Sequence, residues 1–295
     1  TKQPNITTNA LTNYFWLKGS AMSHYSNSSE AIETLIVHKG HNFNYSGFFA
    51  MFDENPEVNS TAVEQPAAQV MLRPENVQPY ETIVFYDMLA IDGSPIPEDY
   101  KASIEALIES GKGIVMMNHA TLQWPAWEGW REISGSSFRL GGEGEVFGEI
   151  VPASGYRGGG GEPERNGHHH LSPVQKGHPV LEGLEDGFDI VDEIYIKTKG
   201  FESRPGILPL MRSDYPMVKE NFNAPVASAE ERAKWDHPEG SDLIVWANKA
   251  GNSPVVAMDA GDGPEAYTNP QFRKLLNNAI HWVASDDARA WVKSG

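Results

Sequence analysis

Cysteine is absent from this 295-residue chain. That removes disulfides, thiolate metal sites and every cysteine nucleophile, so any metal ligands must be His, Asp or Glu. Basic residues are scarce, with 23 Lys and Arg against 40 Asp and Glu for a formal charge of −17. Such an excess argues against nucleic acid and against an anionic membrane surface as partners. The acidity is spread along the chain and reads as a solvated surface, so an anionic substrate would need its own local basic pocket. No apolar run approaches the roughly 18 residues that a membrane span requires, and no membrane insertion is expected. Gly158 to Gly161 is no phosphate loop, because no strand precedes it and no Gly-Lys-Ser/Thr follows; no nucleotide cofactor is expected. No internal repeat is visible. An initiator Met is also missing, and the Ser/Thr/Asn-rich start reads as a processed chain, exported to a periplasm or secreted, with a soluble cytoplasmic protein as the other reading.

What is present points to an α/β fold. Ile114 to Met117 is a continuous apolar run without alternation, the pattern of a parallel strand covered on both faces, and Asn118 and His119 sit at its carboxyl end. Ligands of open α/β sheets bind beyond such ends, which makes His119 a site candidate; the alternative is a histidine that ties down a loop. Ile32 to His38 is a second strand, leading into His41, and a helix follows through Phe48 to Phe52. A weaker strand is read near Ala68 to Leu72. Tyr80 to Met88 is another buried strand, with Asp87 at its end. Pro97 then opens a helix over Tyr100 to Glu109 that Gly111 stops as a C-cap, completing a βαβ unit. Leu243 to Ala247 and Pro254 to Met258 read as a hairpin-like pair, and Asn269-Pro270 opens the closing helix through Trp282.

Residues 1–30 form an N-terminal arm on this reading, with Tyr14 to Leu17 docking it. Residues 31–285 form the α/β domain, and 286–295 a tail. Inside the domain, about 122–175 is a loop-rich insertion carrying Trp124, Trp127 and Trp130. Aromatic residues there could face sugar rings or fill a satellite core. Of His168 to His170, at most one or two would carry function, and His170 is the choice. His178 reads as structural before its proline, and His281 as helix surface or packing.

Five separated segments together resemble the trehalose-utilisation (ThuA-like) family. They are Gly40-His41 after the first strand, Lys112 to His119, His178 to Leu184, Asp192-Glu193-Ile194-Tyr195, and Gly261 to Trp282 with Glu265-Ala266-Tyr267 and Asn269-Pro270 inside it. The likeness spans about residues 31–285. It implies a flavodoxin-like fold of the class I glutamine amidotransferase type, an open parallel sheet with helices on both faces. Amidotransferase chemistry itself is excluded by the missing cysteine. One departure stands out: where the family has His after the glycine of the last segment, this chain has Asp262.

His41, Asp87, His119 and Asp262 all follow apparent strands, so the fold is expected to converge them on one crevice, with Glu193 joining. Such a set suits Zn²⁺ or Mn²⁺ held by His41, His119 and Asp262; the other reading is hydrogen-bonding loop anchors. The expected catalytic residues are His119, Glu193 and Asp262. The expected substrate-binding residues are His41, Asn118, Trp124, Arg157, His170, Glu265 and Tyr267. Lys112, Arg131, Arg139 and Arg157 are the cations available to a uronate. The family's link to sugar catabolism implies an oligosaccharide substrate. The preferred activity is a lyase or dehydratase that abstracts a proton and eliminates the β-substituent of a uronic-acid or oxidised sugar. A hydrolase of 3-keto or otherwise modified disaccharides and a non-catalytic glycan-binding protein are the alternatives, the last favoured by Asp262. Oligomeric state is left open, a homo-oligomer included.

Overall fold

Apolar runs buried on both faces set the architecture. In the computed structural model, which describes residues 31–158, 165–225 and 228–294, β1 (Ile32–Lys39), β2 (Val58–Glu64), β3 (Thr82–Asp87) and β4 (Gly113–Met117) pair in parallel. The expected arm at Tyr14 to Leu17 and most of the Gly158 to Gly161 run lie outside the described residues. Between these strands come α1 (Tyr45–Asp53), α2 (Ala68–Met71) and α3 (Glu98–Ser110), with Gly111 ending α3 at φ 78°. After β4, α4 (Glu128–Ser134) is followed by the short strands β5 (Gly144–Val146), β6 (Glu149–Val151) and β7 (Gly155–Arg157). Then come β8 (Gly167–Pro173), β9 (Phe188–Asp192), β10 (Ile194–Ile196) and β11 (Leu208–Ser213). The chain closes with α5 (Ala229–Lys234), β12 (Leu243–Ala250), β13 (Ser253–Met258), α6 (Pro264–Thr268), α7 (Pro270–Ala284) and α8 (Asp286–Lys293).

The main sheet has nine strands in the order β2-β1-β3-β4-β13-β12-β11-β8-β9. Its first five strands are parallel, as expected, but β12, β11, β8 and β9 extend it by antiparallel pairing, so the sheet is mixed rather than purely parallel. Leu35, Val37, Ile83, Phe85, Ile114 and Met116 face the layer of α3 and α4, while Ile36, Val84, Tyr86, Val115 and Met117 face the layer of α1 and α7. No helix among the described residues is long and apolar enough to cross a membrane.

Three expectations change. Ala68 to Leu72 is no strand: Ala68 and Leu72 are fully buried while Val70 between them is exposed, the spacing of a helical turn. The strand that precedes it, β2, was hidden because an edge strand carrying Asn59, Ser60 and Thr61 has no apolar periodicity. The 122–175 insertion is not loop throughout, since β8 runs through His168 to His170 and joins the main sheet. The tail from 286 is itself largely helical: Ser285 caps α8, and the Trp291 ring sits 5.3 Å from Trp282.

Candidate functional site

The site is assembled by bends that local chemistry allows. β4 ends at Met117, and Asn118 turns the chain at φ +45°, a conformation that asparagine tolerates. Its side chain is spent on holding that bend, with Nδ2 donating to Asp259 O at 2.9 Å and Oδ1 lying 2.9 Å from the Tyr195 hydroxyl. Asn118 is therefore buried behind the crevice, and His119 is the residue presented to it. At the end of β1, Gly40 adopts φ +99°, and a Cβ there would overlap Met88 O at 1.9 Å. Only glycine lets this loop pass so close to the next and deliver His41.

His41 and His119 stack with ring centroids 4.1 Å apart. His119 Nε2 faces two carboxylates, Asp262 Oδ1 at 3.2 Å and Glu193 Oε2 at 3.4 Å. Ligand atoms of His41, His119 and Asp262 all lie within 4.8 Å of one another. Both ring nitrogens of His41 and Nδ1 of His119 are buried without a hydrogen-bond partner among the described residues. Orphaned imidazole nitrogens in a polar cluster are unusual, and a nitrogen of His41, together with His119 Nε2 and an Asp262 oxygen, is what a metal would use.

Electrostatics follow from burial and crowding. Burial, then the neighbouring charges of His119 and His38, push His41 down to about 3, so it is a neutral imidazole. Burial opposes charge on His119, but Glu193, Asp262 and Asp192 overcome it and hold the ring above its ordinary 6.5. Burial raises Asp262 to about 6 against the pull of His119, with Glu193 adding to the rise.

Residues that sequence reasoning passed over hold this cluster in place. Asp192 accepts Glu193 N at 2.9 Å and Asp262 N at 3.0 Å on one oxygen and Gly261 N at 2.5 Å on the other, tying the end of β9 to the loop after β13. Tyr195 OH lies 2.6 Å from Glu193 Oε2. Lys197, wholly buried, pairs with Asp259 beneath the crevice and lies over Trp246 at 5.0 Å. The Asp192 to Tyr195 segment carried a signal for the first two; Lys197 had none.

Other expected residues fall elsewhere. Tyr267 is buried and anchors the Asp262 loop, accepting from Tyr86 OH at 2.6 Å and donating to Asp262 O at 2.8 Å. Trp124 is 5% exposed and packs 5.9 Å from Tyr100 on the α3 side, in the core rather than facing a sugar. His170 pairs with Asp189 at 2.8 Å in a cleft of about 430 Å³ that Glu265 also lines, but none of His41, His119, Glu193 or Asp262 does. Glu265 Oε2 is buried there without a partner among the described residues. Arg157, on β7 opposite Ile194, has no ion pair among the described residues, and its Nε is buried and unpartnered.

Asp87 does not join the crevice. It is fully buried on the opposite face, where Gln65 Nε2 donates to Oδ2 at 2.9 Å and Gln123 Nε2 to Oδ1 at 2.7 Å. Burial raises its carboxyl from 3.8 to about 6 despite the two amides. The folded chain thus binds this proton more tightly than the unfolded chain, so the contribution to stability is complete below about pH 4 and is lost as pH rises through 6. The loss amounts to roughly 3 kcal/mol. Asp87→Asn is expected to remove that slope in urea unfolding between pH 4 and 7, because the unpartnered Gln123 Oε1 can turn to accept the new amide. Equal slopes in parent and variant would contradict the assignment.

Comparison with known proteins agrees with the architecture. The fold is shared with a ThuA-like protein from Parabacteroides merdae (18% identity, TM-score 0.59, covering 86% of this chain and 90% of that one). It is shared equally with one from Bacteroides uniformis (17% identity, TM-score 0.59, covering 89% and 96%). A glutamine amidotransferase from Thermotoga maritima is similar at 8% identity and TM-score 0.42, over 88% of this chain and 100% of that one. No curated protein matches the sequence. The profile of the ThuA family, described as trehalose utilisation and so tied to carbohydrate metabolism, matches residues 15–283, and the chain belongs to that family.

Proposed function

We propose that the protein is a metal-assisted carbohydrate lyase or dehydratase, acting on a uronic-acid or oxidised-sugar unit of an oligosaccharide. The observation that carries this reading is His119 Nε2 set 3.2 Å from Asp262 and 3.4 Å from Glu193, beside a neutral His41 whose ring nitrogens have no partner among the described residues. Both separations exceed the ~2.8 Å of a charge-assisted hydrogen bond. The separation from Asp262 approaches the edge, about 3.3 Å, of a tetrahedron of nitrogen and oxygen ligands around zinc. Zn²⁺ or Mn²⁺ held by His41, His119 and Asp262 would supply a Lewis acid for the carbonyl or carboxylate oxygen of the sugar.

The chain's own groups do the rest. Glu193 removes the proton on the carbon next to that carbonyl or carboxylate. The freed electron pair forms the carbon–carbon double bond, and the β-oxygen leaves with its bonding pair and takes a proton from solvent. Tyr195, donating to Glu193, fixes the orientation of the base. Among the cations open to a uronate, Arg131 is paired with Glu128, Arg139 is held by Gly142 O, and Lys112 is held by Gln78 O and Tyr80 O. Arg157 alone of the four has no partner among the described residues, which favours it as the contact for an acidic substituent.

The His41, His119 and Asp262 cluster also favours a second reading, hydrolysis of a modified disaccharide, for which a metal held there would supply an activated water. Incubation with oligogalacturonides and 3-keto disaccharides separates the two. Elimination gives ultraviolet absorbance from the new double bond with each break, whereas new reducing ends without that absorbance favour hydrolysis. Binding without any product would favour a glycan-binding protein.

A further inference from the structure

Beside the histidine pair, a ladder of aromatic rings leads out of the crevice. The Phe43 ring lies 5.3 Å from His41, and Tyr45 stacks on Phe43 at 4.2 Å with 14° between the planes. Phe43 is held edge-on by Phe48 and Tyr86, each at 5.2 Å, and Tyr45 rests against His38 at 5.9 Å and Phe49 at 6.1 Å. The backbone beneath is fixed as well. Asn44 caps α1, its Oδ1 accepting from Gly47 N at 2.8 Å, and Tyr45 is the first residue of that helix. Tyr45 is nevertheless 47% exposed. Trp124, Trp130, Trp246 and Trp282, by contrast, are buried in the core.

A flat ring that is already immobilised loses little entropy when a ligand covers it, and its apolar face suits the C–H face of a pyranose. We infer that Tyr45, backed by Phe43, is the platform on which a second sugar ring of the substrate stacks, next to the unit held at His41 and His119. The inference rests on the glycan reading above and deepens it: the substrate is a disaccharide or longer, with at least one ring outside the reacting position.

Calorimetric titration of the whole chain with galacturonic acid, digalacturonate, trehalose and cellobiose tests this. In the disaccharide that the parent binds best, Tyr45→Ala is expected to weaken binding about tenfold, while monosaccharide affinity holds and Tyr45→Phe stays within about twofold of the parent. Disaccharide binding by Tyr45→Ala equal to the parent would overturn the platform. So would equal losses for monosaccharide and disaccharide, or a parent that binds none of the four. The chemistry fails separately: a disaccharide whose binding depends on Tyr45 but which is never converted leaves the platform standing and removes the lyase.

Discussion

Glu193→Gln is expected to lower turnover of the elimination substrate by about 10³-fold, with little change in KM. The amide keeps the shape of the carboxylate and can still accept the Tyr195 hydroxyl, 2.6 Å away from Oε2, but it cannot take a proton. His119→Ala should lose at least as much activity, for a different reason. The ring is the shared partner of Asp262 and Glu193, and without it two carboxylates face each other with only the Tyr195 hydroxyl left on Glu193. That variant should also be less stable, by about 1–3 kcal/mol, so Glu193→Gln with a parental unfolding midpoint is the cleaner measurement. Steady-state kinetics showing Glu193→Gln within threefold of the parent would remove Glu193 as the base.

Zinc or manganese should raise the thermal midpoint. At a free concentration a hundredfold above Kd, a single site adds about 2.7 kcal/mol. For a chain of this size that corresponds to roughly 4 °C. His41→Ala should abolish the shift, read against that variant's own metal-free midpoint, which the lost packing of the ring on His119, Phe43 and Tyr86 will lower. His41 is the residue whose loss removes a ligand nitrogen from the cluster while leaving His119 and Asp262 in the sequence. Elemental analysis of the gently purified parent should find about one equivalent, as a single three-residue site requires. A shift that survives in His41→Ala would place the ion on the acidic surface instead, and the absence of any shift would reduce His41, His119 and Asp262 to loop anchors.

Much of this arrangement was legible beforehand. Lack of cysteine excluded amidotransferase chemistry, apolar runs located β1, β3, β4 and β13, and the strand-end rule selected His41, His119 and Asp262, which do come together. Glu193 was legible only through the Asp-Glu-x-Tyr segment. Trp124 is expected as a ligand contact because aromatic residues in loops look alike in sequence whether they face solvent or fill a core, and Tyr267 because it lies in the Glu265-Ala266-Tyr267 segment of the family likeness. Their burial depends on α3 and on Tyr86, far away along the chain.

The sequence by itself determined that β1, β3, β4, β12 and β13 become buried strands, because continuous hydrophobicity is a local property, and it determined that the chemistry would rest on imidazole and carboxylate. Only the tertiary structure decided which strand-end residues share a crevice. A strand's side chains alternate between faces, but a strand buried on both sides carries no polar alternation to mark which face is which. Tyr86 therefore turns toward His41, with ring centroids 4.9 Å apart, while its neighbour Asp87 turns the other way, to Gln65 and Gln123.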